Sequence, residues 1–115
     1  MVWDFKERRD FDRVPIPATA SLFLDDEEGN RIGRVTVLSR GGFLLETSRR
    51  FPAAEPLLFV LVGERDGVRR VVTVVQRYTS AEGDVGFEFD SLDPEAAIEI
   101  ALLIRKYYFV SGAAK

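Results

Sequence analysis

The chain has 115 residues, 46% hydrophobic and 30% charged, which is the composition of a globular protein with one hydrophobic core. It contains neither cysteine nor histidine, so disulfides, thiolate metal sites and the most common general base are excluded, and we expect no enzyme. A net charge of -3 opposes a general affinity for nucleic acid polymers or anionic lipid.

The N-terminus mixes acidic and basic side chains where an export signal would be apolar. The longest run of aliphatic and aromatic residues, from Leu57 to Val62, is much shorter than a membrane-spanning helix requires. We therefore expect a cytoplasmic protein that does not insert into a membrane.

Residues 1–14 form a charged arm ahead of the first predicted strand. Its three arginines, Arg8, Arg9 and Arg13, carry guanidinium groups, which donate paired hydrogen bonds to phosphate oxygens or to a guanine base. Three acidic residues balance them to zero formal charge: Glu7, Asp10 and Asp12. By itself, the arm fits either an anion-binding segment or a solvated segment with internal ion pairs.

The next part of the chain predicts about six short strands joined mostly by hairpin-length turns. The first predicted strand, from Pro15 to Leu24, places Ile16, Ala18, Ala20, Leu22 and Leu24 on one face. The other predicted strands cover residues 31–38, 43–47, 57–62, 68–78 and 85–89. This pattern is typical of a closed antiparallel barrel or a small sandwich.

The hydrophobic period becomes helical after residue 93. Asp93 suits the N-cap and Pro94 suits the first helical position, so we predict a helix over 94–109 that packs on the strands. The predicted buried face consists of Ala97, Ile100, Ala101, Ile104, Tyr107 and Tyr108. Residues 15–115 then form a single domain.

A second candidate for chemistry is the loop at residues 39–42. A hydroxyl at Ser39 and backbone amides in a tight turn can hold an anion, although a plain glycine turn between two strands also explains the loop. The arginines at 49–50, 69–70 and Arg77 fit surface charge on strands and loops better than a binding role.

The arm and the loop, in this order on this scaffold, resemble a PilZ domain. That family has an RxxxR pattern before the first strand, a (D/N)xSxxG motif between two early strands, and often a strand that reads G-V-E-F before a final helix. Arg9 and Arg13 fit the first pattern, residues 37–42 occupy the second, and residues 86–89 are similar to the third.

The resemblance implies a mostly β fold, a six-stranded antiparallel barrel with a C-terminal α-helix and an N-terminal arginine arm. It also implies a regulatory module that needs no cofactor or metal, binds cyclic di-GMP, changes shape and signals to a partner protein. Carried over by position, Arg9 and Arg13 would bind phosphate and guanine, and Arg8 would contribute to the same contacts. Ser39 would contact the ligand from the loop, and Gly42 would let the backbone turn closely.

One motif position departs from the family pattern, because Val37 stands where the family has Asp or Asn. A carboxylate accepts hydrogen bonds from guanine and a valine accepts none. A bidentate base contact contributes about 1 to 3 kcal/mol, so its loss weakens binding roughly five- to 150-fold. The alternative hypothesis is a degenerate PilZ-like adaptor that does not bind the nucleotide and acts by protein–protein interaction.

Overall fold

The computed structural model describes residues 13–110, which are mostly strands. The strands are β1 Val14–Pro15, β2 Leu22–Asp25, β3 Arg31–Leu38, β4 Gly42–Glu46, β5 Leu57–Gly63, β6 Val68–Thr79 and β7 Val85–Ser91. A short 3-10 helix, Ala18–Ala20, lies between β1 and β2, and helix α1, Pro94–Val110, follows β7. None of the helices in this range is long and apolar enough to span a membrane.

Six of the strands close into an antiparallel barrel. They pair in the order β3-β2-β5-β6-β7-β4, and β4 pairs back with β3. The two-residue strand β1 pairs with the C-terminal end of β3. The predicted six-stranded barrel is therefore confirmed over the sandwich, and closure pairs the strands that would otherwise be edges.

Alternate side chains of β4 and β7 point into the barrel interior. On β4, Phe43 and Leu45 are buried, and on β7, Val85 and Phe87 are buried. The ring of Phe87 lies 5.4 Å from that of Phe43 and 6.1 Å from that of Phe59, measured between centroids. Because successive side chains of a strand point to opposite faces, the even-numbered residues of β4 and β7 face outward.

The prediction of one continuous first strand from Pro15 to Leu24 is wrong. The chain breaks after β1 into the 3-10 helix, in which Ala18 is exposed, and the pairing resumes only at β2. Pro15 and Pro17 have no N–H to donate to a neighbouring strand, and Ser21 takes a left-handed conformation with φ 52°. Alternation of apolar residues predicts burial correctly at Leu22 and Leu24 but not at Ala18, and it does not detect the break.

Helix α1 begins where the capping residues predict. The backbone N–H of Ala96 donates to Oδ1 of Asp93 at 2.8 Å, and Pro94 is the first helical residue. The helix packs against β1 and β6. Its buried residues are Ala96, Ile100, Leu103, Ile104 and Tyr107.

The predicted face of the helix is partly wrong, because Ala97 and Ala101 are exposed. The buried stripe is turned so that Leu103 enters the core in their place. A leucine contributes much more apolar area than an alanine, so this orientation removes more apolar surface from water.

The end of α1 is tied to the turn between β5 and β6. The hydroxyl of Tyr107 donates to Oδ2 of Asp66 at 2.6 Å, and Nζ of Lys106 bonds to Oδ1 of the same carboxylate. Burial opposes the charged form of Asp66, but the hydrogen bonds from Lys106 and Tyr107 outweigh it and lower the pKa of Asp66. Burial and the bond to Asp66 raise the pKa of Tyr107 to about 12.

These shifts predict how the contact stabilises the fold across the pH range. The lowered pKa of Asp66 gives stability that is present above its ordinary value of 3.8 and is lost as the pH falls through the folded value. The raised pKa of Tyr107 gives stability that is present below 10.0 and is lost as the pH rises to about 12.

We expect Tyr107→Phe to lower the free energy of unfolding by about 1.5 to 3 kcal/mol at neutral pH, because it removes a hydrogen bond to a charged group. Urea denaturation of both proteins at acid, neutral and alkaline pH measures this difference, which should shrink at both extremes. Tyr78→Phe, at a half-exposed tyrosine of the barrel, is the control and should change little. A loss for Tyr107→Phe that is constant with pH would contradict the prediction.

Candidate functional site

A groove of about 930 Å³ lies on the outside of the barrel, over the outward faces of β4 and β7. Its volume is in the range of sites that hold a small organic ligand. The residues that line it are Arg13, Pro15, Val37, Ser39, Arg40, Gly41, Gly42, Phe43, Leu44, Arg77, Tyr78, Gly86, Phe87 and Glu88.

Strand β1 brings Arg13 to the groove. Val14 pairs with Leu38 in an antiparallel register, so the residue before Val14 lies beside the residue after Leu38. That places Arg13 beside Ser39, although the two are far apart in sequence. Val14 is fully buried and anchors β1, whereas Arg13 is exposed.

The loop between β3 and β4 is held by hydrogen bonds between its two ends. The N–H of Ser39 donates to the carbonyl of Gly42 at 2.8 Å, and the N–H of Gly42 donates to Oγ of Ser39 at 3.1 Å. The Ser39 hydroxyl in turn donates to the Gly42 carbonyl at 3.1 Å. The Ser39 side chain therefore bonds to both the N–H and the carbonyl of Gly42, and it shapes the loop.

Two glycines form part of the groove floor, on neighbouring strands. A Cβ on Gly42 would lie 1.9 Å from the carbonyl oxygen of Phe87, so only glycine lets β4 approach β7 at this point. A Cβ on Gly86 would lie 2.5 Å from the ring of Tyr78, so this ring lies directly against the backbone of β7. Gly42 thus permits a close backbone approach, as the motif implies, but to another strand.

A β-bulge in β6 places two consecutive side chains on the groove. The register with β7 shifts between Gln76 and Tyr78, so the usual alternation of faces is interrupted at Arg77. Arg77 and Tyr78 both line the groove as a result. The interpretation of Arg77 as ordinary surface charge is therefore incomplete, because its guanidinium reaches the groove and pairs with Glu88 across the strands.

The groove combines apolar surface with positive charge. Of the residues that line it within 13–110, three are arginines and one is an acid: Arg13, Arg40, Arg77 and Glu88. The half-buried Val37 and Leu44 and the ring of Tyr78 supply apolar area. Guanidinium groups bind phosphate, and an aromatic ring stacks on a purine, so this surface suits a nucleotide.

The structure brings together Arg13, Ser39 and Gly42, three of the five residues predicted for the site. Arg8 and Arg9 lie outside the described residues, and their roles stay predictions. Sequence reasoning assigned Arg77 to surface charge and gave Tyr78 no role, and nothing in the sequence marks the bulge that brings both to the groove. It named Glu88 as part of a motif without giving it a role.

Comparison with known proteins is consistent with this geometry. A family model described as the PilZ domain matches residues 7–106, which covers the barrel, most of α1 and the part of the arm that holds all three arginines. No curated protein matches the chain significantly. With the closed barrel and the C-terminal helix observed, and with a match over most of its length, the chain belongs to the PilZ domain family, a family of binding and regulatory modules.

Proposed function

We propose that this protein is a cytoplasmic regulatory module that binds cyclic di-GMP and signals to a partner protein. The observation that carries the proposal is the meeting of Arg13 with the loop at 39–42 at one groove of about 930 Å³. The family match supports it, because the matched residues include the arm as well as the barrel.

The groove has the chemical groups that a cyclic dinucleotide needs. The ligand carries two phosphates and two purines, so its binding requires cationic donors and flat apolar surface. Arg13, which lines the groove, supplies a guanidinium fork for phosphate or for a guanine edge. Tyr78 supplies an aromatic ring, 47% exposed for the whole residue, on which a base can stack.

The position of Arg13 also explains how binding would change the shape of the protein. Arg13 directly precedes β1, a strand of only two residues, while Ser39 and Gly42 belong to the barrel. A ligand that contacts this surface and also Arg8 and Arg9, as the family pattern implies, ties the rest of the arm at 1–14 to the barrel. The ligand and the fixed arm then form a new surface that a partner protein can recognise.

Calorimetric titration of the purified chain with cyclic di-GMP tests the proposal. We expect saturable binding that weakens as salt is added, because phosphate contacts are screened. Cyclic di-AMP serves as the comparison ligand and should bind more weakly, since adenine lacks the O6 acceptor that an arginine reads in guanine. An absence of binding at high micromolar cyclic di-GMP would refute the proposal.

The adaptor hypothesis is supported by a separate observation on helix α1. Its outer side exposes three large apolar residues, each about 60% exposed: Ile98, Leu102 and Phe109. Apolar side chains grouped in this way are typical of protein–protein contacts. If the adaptor hypothesis is correct, Leu102→Asp abolishes function in cells and Arg13→Ala does not. The nucleotide hypothesis predicts that Arg13→Ala abolishes function.

A further inference from the structure

Glu88 is the single acid among the described residues that line the groove. It lies on the outward face of β7, and 50% of its side chain is exposed. Its cross-strand neighbour on β4 is Gly42, which has no side chain to cover it. A partly exposed carboxylate therefore lies in a groove whose other charged side chains, among the described residues, are arginines.

Arg77 holds this carboxylate by one oxygen. Both Nε and Nη2 of Arg77 contact Oε1 of Glu88. The pair thus positions the carboxylate and leaves Oε2 outside the contact. A charge-assisted bond on one oxygen still permits the other to accept a further hydrogen bond.

A carboxylate in a groove that receives phosphate reduces the attraction for the ligand, unless another part of the ligand uses it. The Watson–Crick edge of guanine presents two adjacent donors, N1–H and the N2 amino group, and a carboxylate accepts from both. Val37, on the groove wall, accepts from neither, and the Ser39 hydroxyl is engaged with Gly42. Glu88 is the lining side chain whose chemistry matches these donors.

We propose that Glu88 recognises one guanine of the ligand through Oε2, whose two lone pairs accept from N1–H and from the N2 amino group, and so replaces the acceptor that is lacking at Val37. This rests on the proposed function, and it makes Glu88 the residue that selects guanine over other purines. Arg77 is then a positioning residue, which orients the carboxylate from the bulge in β6.

The test compares two dinucleotides on two proteins. Cyclic di-IMP contains hypoxanthine and differs from cyclic di-GMP only by the loss of the N2 amino groups. We expect the natural protein to prefer cyclic di-GMP about 10- to 150-fold, the range for one hydrogen bond to a charged group. In Glu88→Gln the preference for cyclic di-GMP should fall below about threefold. Most of this change should be a loss of affinity for cyclic di-GMP, because the amide places a donor against the guanine.

The control is Glu46→Gln. Glu46 is an exposed acid on β4 that pairs with Arg34 at 3.6 Å outside the groove, so this change removes the same charge without touching the ligand. It should leave both affinities within about twofold of the natural protein, because exposed pairs at the surface contribute little.

The possible results separate the two proposals. If Glu88 is only the counter-ion of Arg77, Glu88→Gln frees a cation and tightens both dinucleotides equally, which overturns the role of Glu88 and leaves the proposed function intact. Equal affinity of the natural protein for the two dinucleotides also overturns the role of Glu88 and leaves the proposed function intact. Failure of the natural protein to bind either dinucleotide overturns both proposals.

Discussion

Arg13→Ala is expected to weaken the binding of cyclic di-GMP at least about 30-fold while leaving the thermal stability unchanged. The guanidinium lines the groove beside the loop at 39–42, and each hydrogen bond that it donates to a phosphate or a base is charge-assisted. Loss of such bonds costs about 1.5 to 3 kcal/mol each. The residue itself is exposed, so its truncation opens no cavity in the core.

Calorimetric titration of the variant and the natural protein measures this loss of affinity. Two further substitutions test whether the loss depends on the position and on the shape of the guanidinium. Arg50→Ala removes the same charge from an exposed position outside the groove and should change affinity less than threefold. Arg13→Lys keeps the charge but loses the planar fork, so it should recover only part of the affinity. Equal losses for Arg13→Ala and Arg50→Ala would show that the groove is not the binding site.

Gly42→Ala is expected to destabilise the barrel by about 3 kcal/mol or more, and to lower the melting temperature by roughly 10 to 20 °C. The added Cβ would lie 1.9 Å from the carbonyl oxygen of Phe87. A backbone atom cannot turn aside as the end of a side chain can, so β4 and β7 must separate at the point where Gly42 pairs with Glu88. Differential scanning calorimetry measures the shift.

Gly41→Ala is the matched control, one residue earlier in the same loop. A Cβ on Gly41 meets nothing within 4 Å, so this change should alter stability by less than about 0.5 kcal/mol. Gly86→Ala should fall between the two, because the atoms it meets belong to the exposed ring of Tyr78, which can swing away. Similar losses at positions 41 and 42 would contradict the prediction.

Most of the fold could be predicted because its signals are local. The β-branched run from residue 68, the glycine turns and the change to a helical period after Asp93 each lie within a few neighbouring residues. Strands and a helix were placed correctly on these signals, with ends that shift by a residue or two. The break after Pro15 was missed, since an alternating apolar pattern there masks the conformation of Ser21.

The candidate site was predictable only where a motif spans it. Arg13 and the loop at 39–42 carry residues with a recognisable spacing, and the structure brings them to one groove. Arg77 and Tyr78 had no such signal, because their shared face depends on the register of β6 against β7. Register is set by pairing between strands, which a local reading of residues does not contain.

By itself the sequence determined a small β-rich domain with a C-terminal helix, no histidine or cysteine chemistry, and an arginine arm ahead of a serine-glycine loop. These properties depend on composition and on short-range pattern. Only the tertiary structure decided that β1 places Arg13 beside Ser39 and that a bulge puts Arg77 against Glu88. Each of these is a contact between different strands or loops, and it forms only when the strands pair in a particular register.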